Sequence, residues 1–79
     1  MTSFRPIKTK CWIKFLIEQG CVKKKDKGGS HSIYKKKGVL RSIPVREKDK
    51  EVPAFHIQTS LNTLNIDKNV FLSWLKDNC

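Results

Sequence analysis

All four glycines of this chain fall between residues 20 and 38, and they mark where one kind of pattern gives way to another. Before Gly20, the stretch "TKCWIKFLIEQG" carries Cys11, Trp12, Phe15 and Leu16 at helical spacing. Thr9 can cap its start, and Gly20 stands where a helix ends on a residue of positive φ. The spacing predicts a helix over 10–19, with Cys21 and Val22 folding back on its end. After Gly20 the chain breaks into short strand-like pieces: "CVKKKDK", a "DKGG" turn, "SHSIYKKK", a second turn at Gly38, then "VLRSIPVRE". The last of these is the strongest strand, with Val39, Leu40, Ile43 and Val45; Pro44, which has no N–H for a ladder, predicts an edge position or a strand end. Three strands joined by two short turns predict an antiparallel meander.

The second half returns to helical spacing. "EKDKEVP" reads as a charged loop. Ile57, Leu61 and Leu64 then form one apolar stripe, ended by Asn65, which tolerates the left-handed conformation. Asp67 can cap a final short helix carrying Val70, Phe71, Trp74 and Leu75. The order is α-β-β-β-α plus a short C-terminal helix, and the fold class is α+β: a small two-layer domain with both main helices on one face of the sheet. Residues 1–8 read as an irregular lead-in because of Pro6, and 9–79 as one domain. Such a small core supplies roughly 3–5 kcal/mol, so a partner covering part of the surface would matter for stability too. Trp12, Phe55, Phe71 and Trp74 read as core. Ile33 and Tyr34 fall on opposite faces of the second strand; an alternation that turns Ile33 inward turns His31 and Lys35 toward the helices as well.

Charge is the strongest compositional signal. Seventeen Lys and Arg against seven Asp and Glu give +10. Between Cys21 and Arg46 lie nine basic residues and one acid, so these residues alone hold +8. Clustering of this kind favours a polyanionic partner. Cys11, Cys21 and Cys79 are an odd number without a close pair, which argues against a zinc site and against a disulfide framework. Free thiols fit a reducing cytosol, and "MTSFRPIKTK" has no apolar core of a signal peptide; a cytoplasmic protein is expected. No run approaches the ~18 apolar residues that span a membrane.

One stretch stands out chemically. "GGSHSIYK", following a helix that ends in "EQG" and a basic strand, resembles the Gly-Ser-His motif of HicA toxins, the RNA-cleaving members of HicA–HicB toxin–antitoxin systems. The likeness runs from about Thr9 to Leu75. "RSIPV" is similar to the family's third strand with its proline, "HIQTSLNTLNID" to its last helix, and "NVFLSWL" to its tail helix. Asn65 stands where the family has glycine, Ser32 where a second histidine or an arginine often follows the first, and Arg46 where many members carry a further histidine. The resemblance implies a fold similar to a double-stranded RNA-binding domain, a catalytic histidine at His31, mRNA as substrate, and a HicB-type antitoxin that covers the site.

The residues fit that chemistry. RNA supplies its own nucleophile, the 2′-OH, so an enzyme need only move protons and neutralise phosphate charge. A histidine titrates near neutrality and can do the first; Lys, Arg and backbone N–H groups can do the second. No metal and no small-molecule cofactor are called for. Gly28 and Gly29 let backbone approach a phosphate, Ser30 can hydrogen-bond it, and Lys23, Lys25 and Lys27 precede the turn as candidate RNA contacts. Tyr34 is the one aromatic inside the basic segment, and both base stacking and core packing are open to it. His56 reads as a surface residue at a helix start. Taken without the resemblance, His31 is an ordinary strand-edge residue, and the chain reads equally as a non-catalytic RNA-binding module of the same fold. Only the nuclease requires His31.

Overall fold

The computed structural model describes residues 5–25 and 31–79, with the side chains of Lys25 and His31 left aside. Its elements are β1 (Ile7–Lys8), α1 (Thr9–Glu18), β2 (Val22–Lys25), β3 (His31–Lys35), β4 (Ile43–Arg46), β5 (Glu51–Val52), α2 (Ala54–Leu64) and α3 (Lys68–Asn78). The fold is α+β. The meander is present: β2, β3 and β4 form one antiparallel sheet with β3 in the centre. Pro44 lies on the edge strand β4, opposite Ile33. A second, two-stranded sheet was not expected. Ile7 pairs with Val52 and Lys8 with Glu51, so part of the lead-in and of the charged loop is drawn into a short antiparallel pair.

Helix ends follow their local chemistry. Gly20 takes φ +90°, while its N–H reaches the Ile17 carbonyl and the Cys21 N–H the Leu16 carbonyl, the paired closure of a left-handed helix end. Asn65 does the same for α2 at φ 58°, with Ile66 N–H bonded to the Leu61 carbonyl. Asp67 caps α3, its Oδ1 accepting from the Asn69 N–H at 2.8 Å. Thr9 departs from expectation. It is the first helical residue, and its hydroxyl donates to the Asp49 carbonyl at 2.6 Å while its N–H bonds the Lys50 carbonyl at 2.9 Å. The loop before β5 thus satisfies one of the first-turn N–H groups that have no partner within the helix.

The strand expected over 39–46 is shorter. Gly38 at φ +88° carries a turn in which the Val39 N–H bonds the Lys36 carbonyl, and the ladder begins only at Ile43. Val39 still packs against the core, whereas Leu40 is fully exposed.

One core joins the layers. Trp12, Phe15 and Leu16 of α1, Ile57, Leu61 and Leu64 of α2, and Phe71 of α3 pack over Tyr34, Ile43 and Val45 of the sheet. The helices therefore cover one sheet face. Phe15 sits edge-to-face against Phe71 at 4.8 Å and Trp74 at 5.1 Å, and Trp12 against Phe71 at 5.3 Å. Phe55, expected in the core, is exposed instead.

Cys11 and Cys79 form a disulfide across 68 residues of sequence, which corrects the expectation of three free thiols. Sequence spacing carried no sign of it, because the pairing depends on α3 packing back along α1. The start of α1 meets the end of α3 at the disulfide, and the far end of α1 meets α3 again where Trp74 Nε1 donates to Glu18 Oε1 at 3.0 Å. With two of its three cysteines joined, the chain's cysteine usage no longer points to a reducing cytosol. Cys21 is buried, and burial pushes its thiol above the ordinary value even against the nearby Lys36. Among the described residues, no helix is long and apolar enough to cross a membrane.

A cross-link closing so long a loop contributes about 2–4 kcal/mol, chiefly by restricting the unfolded chain. Reduction, or Cys79→Ser, is expected to lower the melting temperature by on the order of 10–25 °C. Thermal denaturation followed by circular dichroism reads this directly, and the variant should no longer respond to reductant. A melting temperature indifferent to reduction would mean the bond contributes nothing.

Candidate nucleic-acid interface

Which sheet face is open follows from Tyr34. It is buried to 2% exposure and points among the helices, so the opposite parity of β3, positions 31, 33 and 35, belongs to the face the helices leave uncovered. Of the two alternations open to β3, the one that would turn Ile33 and Lys35 toward the helices is therefore not the one adopted. The tyrosine ring fills more core volume than an isoleucine would, its hydroxyl reaches an acceptor in Glu47, and its cross-strand partner is the core residue Ile43. Tyr34 as a stacking platform for RNA bases is corrected, since its ring has no free face.

The register assigns the rest. Val22, Lys24, Ile33, Lys35, Pro44 and Arg46 share the open face, and Lys24, Lys35, Pro44 and Arg46 are all exposed. His31 is the Cα partner of Arg46, so the histidine singled out by its motif lies directly across from a guanidinium-bearing residue. The two are fifteen positions apart in sequence, and only antiparallel register brings them side by side. Lys24, opposite in parity to Lys23, joins them on this face.

Lys23 and Lys25 fall on the other parity, with Tyr34 and Ser32. Lys23 is engaged: its Nζ lies 3.0 Å from Glu47 Oε2 and donates to Oε1 at 3.3 Å. The Tyr34 hydroxyl donates to the same carboxylate at 3.3 Å. Glu47 is held below the usual carboxylate range, first by the Ser32 hydroxyl and then by Lys23 and the Tyr34 hydroxyl, against a smaller opposing effect of burial. This cluster anchors the polar tip of a core tyrosine and pairs Lys23, whose side chain stays half-exposed, with a carboxylate. Lys27, Gly28, Gly29 and Ser30, the turn preceding His31, lie outside the described residues.

Arg46 has its own neighbour, Asp49, at 3.6 Å across an exposed pair. Such a contact is worth at most about 1 kcal/mol and leaves Arg46 able to exchange partners. The open face therefore combines three exposed cations, Lys24, Lys35 and Arg46, with a histidine position, beside Val22, Ile33 and Pro44.

No protein-family model matches the chain, and neither the curated proteins nor the solved structures contain a match to it.

The tyrosine–carboxylate contact has a measurable signature, since Tyr34 is the sole tyrosine. Burial first, then the Glu47 charge and hydrogen bond, push its hydroxyl up to about 12. The folded value lies above the unfolded one near 10, so the associated stability is present below pH 10 and is lost as pH rises through about 12. Ultraviolet titration of the phenol is expected to show a midpoint near 12, and Glu47→Gln should lower it while leaving it above 10. A midpoint at 10 in the folded protein would place Tyr34 in water.

Proposed function

We propose that this chain is an RNA-cleaving toxin of the HicA type, built on a core like that of a double-stranded RNA-binding domain, and that His31 moves the proton. The single observation that carries the reading is the register pairing His31 with Arg46 on a cationic, uncovered sheet face. The order α1-β2-β3-β4-α2 with α3 following agrees with the resemblance carried by "GGSHSIYK" and "RSIPV". Arg46, standing where many family members have a histidine, keeps a positive group beside His31.

The chemistry runs through the RNA's own hydroxyl. His31 takes the proton of a ribose 2′-OH, and the 2′-oxygen attacks the adjacent phosphorus. The bond from phosphorus to the 5′-oxygen breaks, leaving a 2′,3′-cyclic phosphate on one fragment and, after the 5′-oxygen gains a proton, a hydroxyl on the other. Arg46, Lys24 and Lys35 offset the charge that builds on the phosphate oxygens. No step calls on a metal or a small-molecule cofactor. Because the active face is strongly basic, the antitoxin that silences it is a HicB-type protein presenting acidic groups there.

His31→Ala is expected to fold, to retain RNA affinity and to lose cleavage by roughly 10²–10⁴-fold, the usual contribution of a positioned acid or base. RNA lacking the 2′-OH at the cut site should resist the wild type. If the variant cuts at the wild-type rate, the chemistry lies elsewhere; if the wild type binds RNA but never cuts, the non-catalytic binding module is the right description.

Salt dependence separates the cations. Replacing Lys24, Lys35 or Arg46 by Gln should each weaken RNA binding and flatten its dependence on log salt by about 0.7, whereas Lys23→Gln, already paired with Glu47, should do less. The antitoxin should compete with RNA for this face. Affinity unaffected by salt, or RNA bound undiminished to the preformed complex, would argue against the interface.

A further inference from the structure

The open sheet face does not stop at β4. At its free edge, Pro44 and Arg46 continue into a cleft of about 320 Å³ whose other walls include Asp49, Glu51, Phe55 and His56. Phe55 is a large aromatic left 77% exposed at the start of α2, where no core contact accounts for it. Its ring and that of His56 are close to parallel, with centroids 6.3 Å apart and 24° between planes. An exposed aromatic face, a guanidinium and two carboxylates thus surround one small space.

That combination suits one kind of occupant. A nucleobase has two π-faces for stacking, and its edge carries N–H donors that carboxylates can accept; the phosphate attached through its sugar suits Arg46. An apolar side chain of a protein partner could cover Phe55 but would bury the Arg46–Asp49 pair and the Glu51 carboxylate without offering either a hydrogen bond. Arg46 belongs both to the cleft and, through its pairing with His31, to the sheet face, so a strand crossing the face would run into the cleft.

We propose that this cleft binds one unstacked base of single-stranded RNA, with Phe55 as the stacking platform and Arg46 holding the neighbouring phosphate. The proposal rests on the reading of the open face as an RNA interface, and it makes the substrate class single-stranded: a base paired within a duplex cannot leave its stack to enter without unpairing. The second histidine of the chain, His56, then serves in recognition, beside the base.

The test compares binding of fluorescein-labelled twelve-nucleotide single-stranded RNAs (oligo-A, oligo-C and oligo-U) with a duplex of the same length, for the wild type, Phe55→Ala, Phe55→Trp and His31→Ala. Phe55 is too exposed for its loss to unfold the domain, which circular dichroism will verify. Phe55→Ala is expected to weaken single-strand binding about 5- to 100-fold with an unchanged salt slope, to leave duplex binding as it was, and to be rescued by Phe55→Trp. Quenching of a 2-aminopurine base in the strand by the wild type, and its loss in Phe55→Ala, would report the stack itself. If the wild type and His31→Ala bind single strands and Phe55→Ala binds them equally well, the cleft is overturned while the sheet face stands. If the wild type binds no RNA of either form, both the cleft and the interface it rests on are overturned.

Discussion

Burial of Tyr34 is the contact on which the rest of the sheet depends. Side chains alternate along a strand, so committing one bulky ring to the core commits every position of β3 at once, and through the ladder every position of β2 and β4. With Tyr34 inside, Ile43 and Val45 follow it, and Lys24, Lys35 and Arg46 come together on the other side. A slip of one residue would carry those cations into the helices. Glu47 gives the arrangement its polar support, taking the phenol's hydrogen bond at the margin of the core where Lys23 can also reach it. The charge separation of this small molecule is thus a packing result before it is an electrostatic one.

Helix α1 is the element that everything else is fastened to. Its first turn is held by Asp49 and Lys50, its middle contributes Trp12, Phe15 and Leu16, and its last carbonyls are closed by Gly20 and Cys21. Helix α3 is bound to it by edge-to-face rings, by the Trp74–Glu18 hydrogen bond and by the disulfide. For a domain of 79 residues, whose core alone is marginal, that redundancy compensates for limited buried area.

Much of this architecture was legible in the residues. Local signals were read correctly where one residue type has one physical use: Gly20 and Asn65 at left-handed helix ends, Asp67 as a cap, Pro44 at an edge, Ile57, Leu61 and Leu64 as a stripe. The failures share a different cause. Tyr34 and Ile33 both fit an inward position, and only competition for core volume decided between them. Phe55 looked like core because it is aromatic, but its place at the first turn of α2 carries it off the buried stripe. The pairings of Ile7 with Val52 and of Cys11 with Cys79 depend on how α1 sits against the rest, which no local pattern encodes. The candidate site was proposed from its motif and its charge; which cations share a face with position 31 depended on register, which no local pattern fixes.

The disulfide has a topological consequence. Joining positions 11 and 79 turns the intervening chain into a covalent ring that encloses every strand of the meander and all of α2 and α3. A single peptide-bond cut within the ring opens a loop but releases no fragment, so a nicked molecule keeps its mass, plus one water, until the bond is reduced. Cleavage by a protease would then pass unseen on a non-reducing gel and appear as two pieces on a reducing one. Damage to the backbone and separation of its parts become two distinct events, governed by different chemistry.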